Sequence, residues 1–201
     1  MTPGQGILRV DLDAIIENWR ALRQRHGAAV AGVVKADAYG LGAAPVARAL
    51  HAAGCSCFFV AHLTEGLALR AALGPGPDIA VLNGFPPGAD ADAALLPVLN
   101  HLGDVAAWRG SGRAALLHLD TGMSRLGLDA REQAVLAEDR ARLDGIALRW
   151  VMTHLACADE PAHPMNTRQR DRFAAAAARI APGVARSFAN SSGIFLGEGF
   201  R

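Results

Sequence analysis

The chain has 201 residues, a formal net charge of +1 at pH 7, 51% hydrophobic residues and 19% charged residues. This composition is typical of a folded globular protein with one sizeable core, and it excludes a disordered chain. The sequence has no basic block interleaved with aromatic residues and no apolar run near the ~18 residues that span a bilayer, so we expect neither nucleic acid nor a membrane as a partner.

The N-terminus and the cysteines indicate the compartment. The stretch MTPGQGILRVDLD lacks the charged start and apolar core of a signal peptide. Three cysteines, Cys55, Cys57 and Cys157, are an odd number, which does not favour a disulfide framework. We interpret them as reduced residues of the interior. Because metal-binding and P-loop motifs are also lacking, the sequence predicts a cytoplasmic protein without a metal site.

The first 27 residues predict a strand followed by a helix. Residues 7–10, ILRV, form a short strand candidate, and Asp11 or Asp13 can cap the helix that follows. Apolar residues recur along that helix at the spacing of one face, and Gly27 is a typical terminator. We interpret residues 1–27 as a leading strand and helix that precede the repeating part of the fold.

From residue 28 onward, strands and helices alternate at short spacing. Thr64 is the predicted N-cap of one helix, and Asn166 and Gln169 have capping-box spacing at the head of a long Ala-rich helix. The predicted strands cover residues 28–36, 57–61, 75–84, 97–100, 114–122, 146–156 and 185–193. The other predicted helices cover residues 44–54, 64–74, 91–96, 104–110 and 130–143.

This alternation predicts a parallel α/β fold. Residues 28–201 contain about seven β/α units, whereas a (β/α)8 TIM barrel needs eight strands and typically ~250 residues. We therefore predict a (β/α)8 TIM barrel that is incomplete at its C-terminal end. A doubly wound open sheet would also fit the alternation, but its glycine fingerprint is not found. No linker divides residues 1–201, so we expect one domain.

Lys35 is the only lysine in the chain, and the other 19 residues of the basic set are arginines. An arginine stays protonated, whereas a lysine with a lowered pKa can condense with an aldehyde to form an imine. Because arginine fills every other cationic position, we interpret Lys35 as a reactive amine. A chance lysine that extends from a strand end is the alternative.

Five further residues near predicted strand ends could serve a ligand, and each has an ordinary alternative. Tyr39, in ADAYGLG, could hold a phosphate or pack at the rim. Arg125, in DTGMSRLG, could bind a phenolate or carboxylate, or be a surface arginine. His154 could stack on a planar ligand or be a core histidine. Asn190 and Ser191, in ANSS, could bind an anion or be turn residues.

Together these segments resemble the N-terminal barrel of the alanine racemases, which are enzymes that use pyridoxal 5'-phosphate (PLP). VVKADAYGLG looks like the family's cofactor-lysine motif. VAHLTEGLALR, LDTGMSRLG, VMTHLACADEP and SFANSSG follow in the family's order and at similar spacing, and RVDLDAIIENW resembles its N-terminal strand and helix. The resemblance covers nearly the whole chain, and the lysine motif combined with DTGMSRLG is highly specific.

The resemblance implies a role for each candidate. Lys35 forms an imine with PLP and acts as one acid/base. Tyr39 and Ser191 contact the cofactor phosphate, and Asn190 belongs to the same cofactor-binding segment. Arg125 hydrogen-bonds the phenolic oxygen and helps to place the substrate carboxylate, and His154 packs against the pyridine ring. The implied activity is PLP-dependent racemisation of L-alanine and D-alanine, which supplies D-alanine for the cell wall, by a homodimer in the full-length protein.

Two departures from the family's pattern change what is expected. His118 stands where many members have a lysine that steadies the arginine, so the support of Arg125 must differ. The family also continues into a last barrel strand and a β-rich C-terminal domain, which carries the opposite-face tyrosine base. Tyr39 is the only tyrosine here. We therefore expect a chain that ends before that strand and domain, lacks the second base, and leaves its leading ILRV strand without the domain it would pair with.

These departures leave more than one function open. The first is an alanine racemase of which residues 1–201 are the barrel. The second is a PLP-binding barrel without racemase activity, either an inactive fragment or a relative that serves PLP homeostasis. An amino-acid decarboxylase on the same barrel is a third.

Overall fold

Seven strands form one curled sheet in the computed structural model, which describes residues 6–86, 88–89 and 94–200. Neighbouring strands pair in chain order and every pairing is parallel. The strands are β1 (Gly32–Val33), β2 (Cys57–Val60), β3 (Asp78–Val81), β4 (Leu96–Leu99), β5 (Ala114–His118), β6 (Ala147–Met152) and β7 (Arg186–Ser187). The sheet is an open half-barrel whose order has no reversal, so the predicted barrel is confirmed and the doubly wound alternative is wrong.

Helices connect most of the strands and cover the outer side of the half-barrel. The helices are α1 (Leu12–His26), α2 (Lys35–Gly40), α3 (Ala43–Ala52), α4 (Leu63–Leu73), α5 (Leu102–Trp108), α6 (Ala130–Glu138) and α7 (Pro164–Ile180). Three short 3-10 helices are also present, one between α6 and β6 at Arg140–Leu143 and two after β7 at Gly193–Leu196 and Glu198–Phe200. Of the helix predicted over residues 91–96, residues 91–93 lie outside the described part of the chain, and the prediction is wrong for the rest, since Ala94 and Leu95 form a turn and Leu96 begins β4.

The predicted strands at the two edges of the sheet differ from those observed. Residues 7–10 form no strand, since no described segment pairs with them. β1 and β7 contain two residues each, so both are much shorter than their apolar runs indicate. An edge strand has a partner on one side only, and here β1 pairs with two of the four residues of β2, and β7 with two of the six residues of β6.

Two predicted helix starts are also wrong. The N-cap of α4 is His62 rather than Thr64. α7 begins at Pro164 with His163 as its N-cap, so Asn166 and Gln169 lie inside the helix and are buried. Both polar side chains bond to loop backbone instead of capping their own helix.

The strands bury both of their faces, which explains their continuous apolar runs. Alternate residues point to the interior of the half-barrel, where the buried cluster consists of Phe59, Ala80, Leu96, Val98, Leu116 and Met152. The opposite face meets the helices in two separate clusters. One packs β1–β3 against α1, α3 and α4, and the other packs β4–β6 against α5, α6 and α7. This two-sided burial holds the strand ends, and the loops that follow them, in fixed positions.

Two kinds of feature are not found within the described residues. None of their helices combines the length and the apolar character that crossing a bilayer requires. In the same ranges, no group of three or more His, Cys, Asp or Glu side chains could hold a metal ion.

Candidate active site

The carboxyl ends of the strands bring the predicted site residues to one edge of the half-barrel. Lys35 follows β1, Arg125 lies in the loop after β5, and His154 comes two residues after β6. Asn190 and Ser191 follow β7. The charges of Arg125 and Lys35 both lower the pKa of His154, so each of these two side chains lies within electrostatic range of the imidazole.

Lys35 begins a left-handed turn. In α2, residues 36–39 have φ values from 51° to 56°, in the left-handed region that side-chain-bearing residues rarely adopt. Asp37 closes the turn because its Oδ1 accepts a hydrogen bond from Ala43 N at 2.6 Å. The turn leaves Lys35 half-buried, whereas Tyr39 is 68% exposed. The phenol of Tyr39 is therefore accessible to a ligand.

Glu65, in the first turn of α4, anchors the start of this left-handed turn. Its Oε1 accepts a hydrogen bond from Ala36 N at 2.8 Å, and its Oε2 accepts bonds from Ala61 N at 2.7 Å and His62 N at 3.1 Å. Burial by itself would raise the pKa of Glu65, but the three N–H donors outweigh it and lower that pKa. The carboxylate is charged at pH 7 and fixes the residue that follows Lys35.

Arg125 lies in a closed loop between β5 and α6. Leu119 and Leu128 form a β-bridge that joins the two ends of this loop. Within it, Asp120 Oδ1 accepts hydrogen bonds from the backbone N–H groups of residues 122, 123 and 124 at 2.9, 2.9 and 3.1 Å. The loop is thus shaped from within, and the exposed side chain of Arg125 can reach a ligand.

His118, the last residue of β5, pairs with Asn100 at the end of β4. The distance from His118 Nδ1 to Asn100 Oδ1 is 3.0 Å. Asn100 Nδ2 donates its two protons to the carbonyl oxygens of Leu82 and Val98, at 2.8 and 3.0 Å. Asn100 Oδ1 must therefore accept, so His118 Nδ1 carries the proton and Nε2 of the neutral ring is an acceptor.

Both histidines of the site are uncharged at pH 7. Burial is the largest cause that lowers the pKa of His118 to about 4; the positive charges of Arg125 and of a protonated His154 also lower it, and the charge of Asp120 opposes them. Burial, followed by the charges of Arg125 and Lys35, also lowers the pKa of His154. The Arg125 loop, at Gly127, therefore packs beside a neutral imidazole.

The pKa of His118 predicts how stability depends on pH. The folded-state pKa of about 4 lies below the ordinary value of 6.5, so the unfolded chain binds more protons between these values. We expect the free energy of unfolding to decrease as the pH falls from about 6.5 to about 4, and the decrease to be smaller in His118→Gln. Urea unfolding of both chains across this range measures it. Equal pH slopes would contradict a neutral, buried His118.

Asn190 and Ser191 differ in what they can offer a ligand. Asn190 Nδ2 donates to the carbonyl oxygen of Leu155 at 3.2 Å, and its Oδ1 accepts from Gly193 N at 2.8 Å. These bonds order the loop after β7. Ser191 is exposed. The 3-10 helix that follows packs near α1, where the guanidinium of Arg25 lies 4.5 Å from the ring centroid of Phe195.

Comparison with known proteins assigns the chain to a family. The family described as alanine racemase, N-terminal domain, matches residues 10–201. This chain belongs to the alanine racemase family. Its fold is accordingly the alanine-racemase-type TIM barrel, with seven of the strands present.

Individual alanine racemases resemble the chain over nearly its whole length. It is 54% identical to the alanine racemase of Acidiphilium cryptum and 51% identical to the catabolic alanine racemase of Mesorhizobium japonicum, over 96% of this chain in both cases. The crystal structure of alanine racemase from Bartonella henselae with covalently bound pyridoxal phosphate superimposes with a TM-score of 0.90 at 38% identity over 95% of this chain. The chain spans 56%, 53% and 58% of these three proteins, respectively.

The structure adds three supporting residues that the sequence did not single out for the site, Glu65, Asn100 and Gln169. Glu65 and Gln169 bond to loops that carry predicted site residues, and Asn100 bonds to the side chain of His118. Glu65 follows the N-cap of α4 by three residues, and a capping box assigned to His62 would have drawn attention to it. Asn100 and Gln169 give no comparable signal, because their partners are distant in the sequence.

Proposed function

We propose that this chain is the PLP-binding barrel of an alanine racemase, an isomerase that interconverts L-alanine and D-alanine. The position of the only lysine supports this most directly. Lys35 follows the first strand of the barrel, within electrostatic range of His154 and on the edge where barrels carry their active sites. The 54% identity with the Acidiphilium cryptum alanine racemase points to the same activity.

The donor set at this edge fits PLP, which has an aldehyde, a phenolic oxygen, a phosphate and a flat ring. Lys35 offers an amine to the aldehyde, and Arg125 offers a cation to the phenolic oxygen. The exposed Tyr39 and Ser191 offer hydroxyls to the phosphate. His154 is half-buried and neutral, so it offers a flat, uncharged face to the ring. When bound, PLP supplies an electron sink that stabilises the carbanion of an amino acid that has lost its α-proton.

In the proposed reaction, this chain orients the substrate and moves one proton. Arg125 also pairs with the substrate carboxylate, for which a guanidinium has the matching geometry. Lys35 Nζ takes or returns the proton at the α-carbon on one face. Glu65 holds the backbone next to Lys35 in place, and Asn190 orders the segment that presents Ser191. Because both amide hydrogen bonds of Asn190 go to backbone groups, we propose that Asn190 serves the cofactor by ordering this loop.

The opposite face of the substrate needs a second acid/base. Tyr39, the only tyrosine of the 201 residues, is assigned to the phosphate. Because the chain spans 56% of the Acidiphilium cryptum racemase, we propose that the remainder of the protein supplies this second base, across the interface of a homodimer. Provision of D-alanine for the cell wall in the cytoplasm belongs to the same proposal.

A second candidate is a PLP-binding barrel that does not racemise. The observation that favours it is the same single tyrosine, which leaves residues 1–201 with one proton carrier. The two candidates share the attachment of PLP to Lys35 and differ in what happens to the α-proton.

Borohydride trapping tests the attachment. The chain is incubated with PLP and reduced, and the intact mass and the modified peptide are recorded. Because Lys35 is the only lysine, we expect one lysine adduct, at Lys35, and none in Lys35→Ala. An unmodified, folded chain would overturn the proposal.

Proton exchange separates the two candidates. In D2O with PLP, one proton carrier on one face should exchange the α-hydrogen of a single alanine enantiomer without forming the other. Addition of the rest of the racemase should restore racemisation. Proton NMR measures the exchange, and chiral chromatography measures the enantiomers. If PLP attaches but neither enantiomer exchanges, the non-racemising barrel is the better description.

A further inference from the structure

Gln169, in the second turn of α7, is a polar side chain next to the loops of the site, and 0% of its surface is exposed. Its Oε1 accepts a hydrogen bond from Ala156 N at 2.8 Å. Its Nε2 donates to the carbonyl oxygen of His154 at 2.9 Å and to Thr121 Oγ1 at 3.2 Å. The amide therefore uses its acceptor and both of its donors, and all three partners belong to loops that carry site residues.

The three bonds join two loops that follow neighbouring strands. Thr121 lies in the loop after β5, four residues before Arg125, whereas His154 and Ala156 lie in the loop after β6. Thr121 Oγ1 also lies 2.8 Å from Thr153 Oγ1, and both threonines are buried. The Arg125 loop and the His154 loop are thus joined by one buried polar cluster, made of Gln169, Thr121 and Thr153. The cluster is rigid because its polar groups are hydrogen-bonded to one another.

We propose that Gln169 is a positioning residue that locks the Arg125 loop to the His154 loop, so that the two side chains meet their ligand as a unit. The identity of that ligand as PLP rests on the proposed function. An apolar side chain of the same length would fill the same volume but would leave the Ala156 N–H and the His154 carbonyl without this partner, and the Thr121 hydroxyl with Thr153 alone.

Gln133 of α6 provides a matched control. Its Nε2 donates to the carbonyl oxygens of Asp120 and Leu128, at 2.8 and 2.7 Å. It therefore holds both ends of the Arg125 loop from the neighbouring helix, with a glutamine amide, but these bonds do not reach the His154 loop. Loss of Gln133 should loosen one loop, and loss of Gln169 should loosen two.

Hydrogen exchange of the cofactor-free chain tests the lock itself. In Gln169→Met we expect amide exchange to accelerate about tenfold both in residues 121–127 and at 154–156. In Gln133→Met the acceleration should be confined to residues 121–127. The milder Thr121→Val removes only the hydroxyl that Gln169 Nε2 bonds to, so it should loosen residues 121–127 and spare Ala156 even if the methionine variant does not fold. Unchanged exchange at 121–127 in both variants would overturn the proposal.

A double-mutant cycle on PLP affinity tests the consequence for the ligand. With Gln169 present, the double variant Arg125→Ala/His154→Ala should weaken PLP binding by less than the product of the two single-variant factors, because each side chain depends on the other loop. In the Gln169→Met background the two losses should multiply, and in Gln133→Met they should not. If the two factors multiply in the parent chain, Arg125 and His154 act independently and the proposed coupling of their loops is refuted. If the parent chain binds no PLP, the proposed function fails, and the exchange experiment alone decides the role of Gln169.

Discussion

Gly127→Ala is expected to destabilise the protein by about 3 kcal/mol and to disrupt the loop that carries Arg125. Gly127 has a φ of +102°, and an added Cβ would lie 2.9 Å from Asp120 N and 3.0 Å from the His118 ring. Neither neighbour can withdraw, since Asp120 N bonds to the carbonyl oxygen of Leu128 and Asn100 holds the imidazole. The strain should therefore spread into the loop.

Gly183→Ala separates this steric effect from backbone strain. Gly183 also has a positive φ, +81°, but an added Cβ there would meet nothing within 4 Å. The same substitution should cost only about 1 kcal/mol at this position. Urea unfolding monitored by tryptophan fluorescence measures both variants, and PLP trapping at Lys35 reports on the site. Equal losses of stability would show that the Arg125 loop has room that the structure does not indicate.

Glu65→Ala is expected to cost about 2 to 4 kcal/mol, because three backbone N–H groups lose their common acceptor. One of these groups belongs to Ala36, so the turn after Lys35 should also lose its position. We expect slower and weaker attachment of PLP at Lys35, measured by the time course of borohydride trapping. The lowered pKa of Glu65 gives the sign of the pH effect: its contribution is present above the ordinary value of 4.5 and is lost as the pH falls through the folded-state value.

Glu132→Ala is the corresponding control. Glu132 occupies the same third position of its helix, α6, and accepts hydrogen bonds from Leu102 N at 2.9 Å and Asp129 N at 3.3 Å. Its loss should destabilise the chain by a comparable mechanism but leave the trapping rate at Lys35 unchanged. If both variants slow trapping equally, the effect follows from stability alone and Glu65 has no special relation to Lys35.

The sequence predicted the barrel because its signals are local. Apolar runs bounded by turn residues mark the strands, and the polar residues that follow them end up at one edge, as parallel pairing requires. Lys35, Arg125 and His154 were predicted as site residues in this way. The lengths of β1 and β7 could not be predicted, because the extent of an edge strand depends on its partner and not on its own apolar run.

The supporting residues were missed for a related reason. Glu65 reaches Ala36 across 29 positions, and Gln169 reaches Thr121 across 48. A glutamate or glutamine on a helix gives the same local pattern whether it faces solvent or a buried loop. Asn166 and Gln169 illustrate this, since their capping-box spacing was genuine, yet the helix began earlier and turned both side chains inward.

The left-handed turn after Lys35 makes the stability of this segment depend on the chirality of its residues. For L-residues that conformation costs about 1 to 2 kcal/mol each, so four in succession cost roughly 4 to 8 kcal/mol, as much as the net stability of many small domains. Tertiary contacts must supply this energy, and an isolated peptide of the same sequence should not form the turn. A semisynthetic chain with D-residues in place of Ala36 and Ala38 would adopt it as its preferred geometry, so here inversion of the backbone stereocentre favours the native fold.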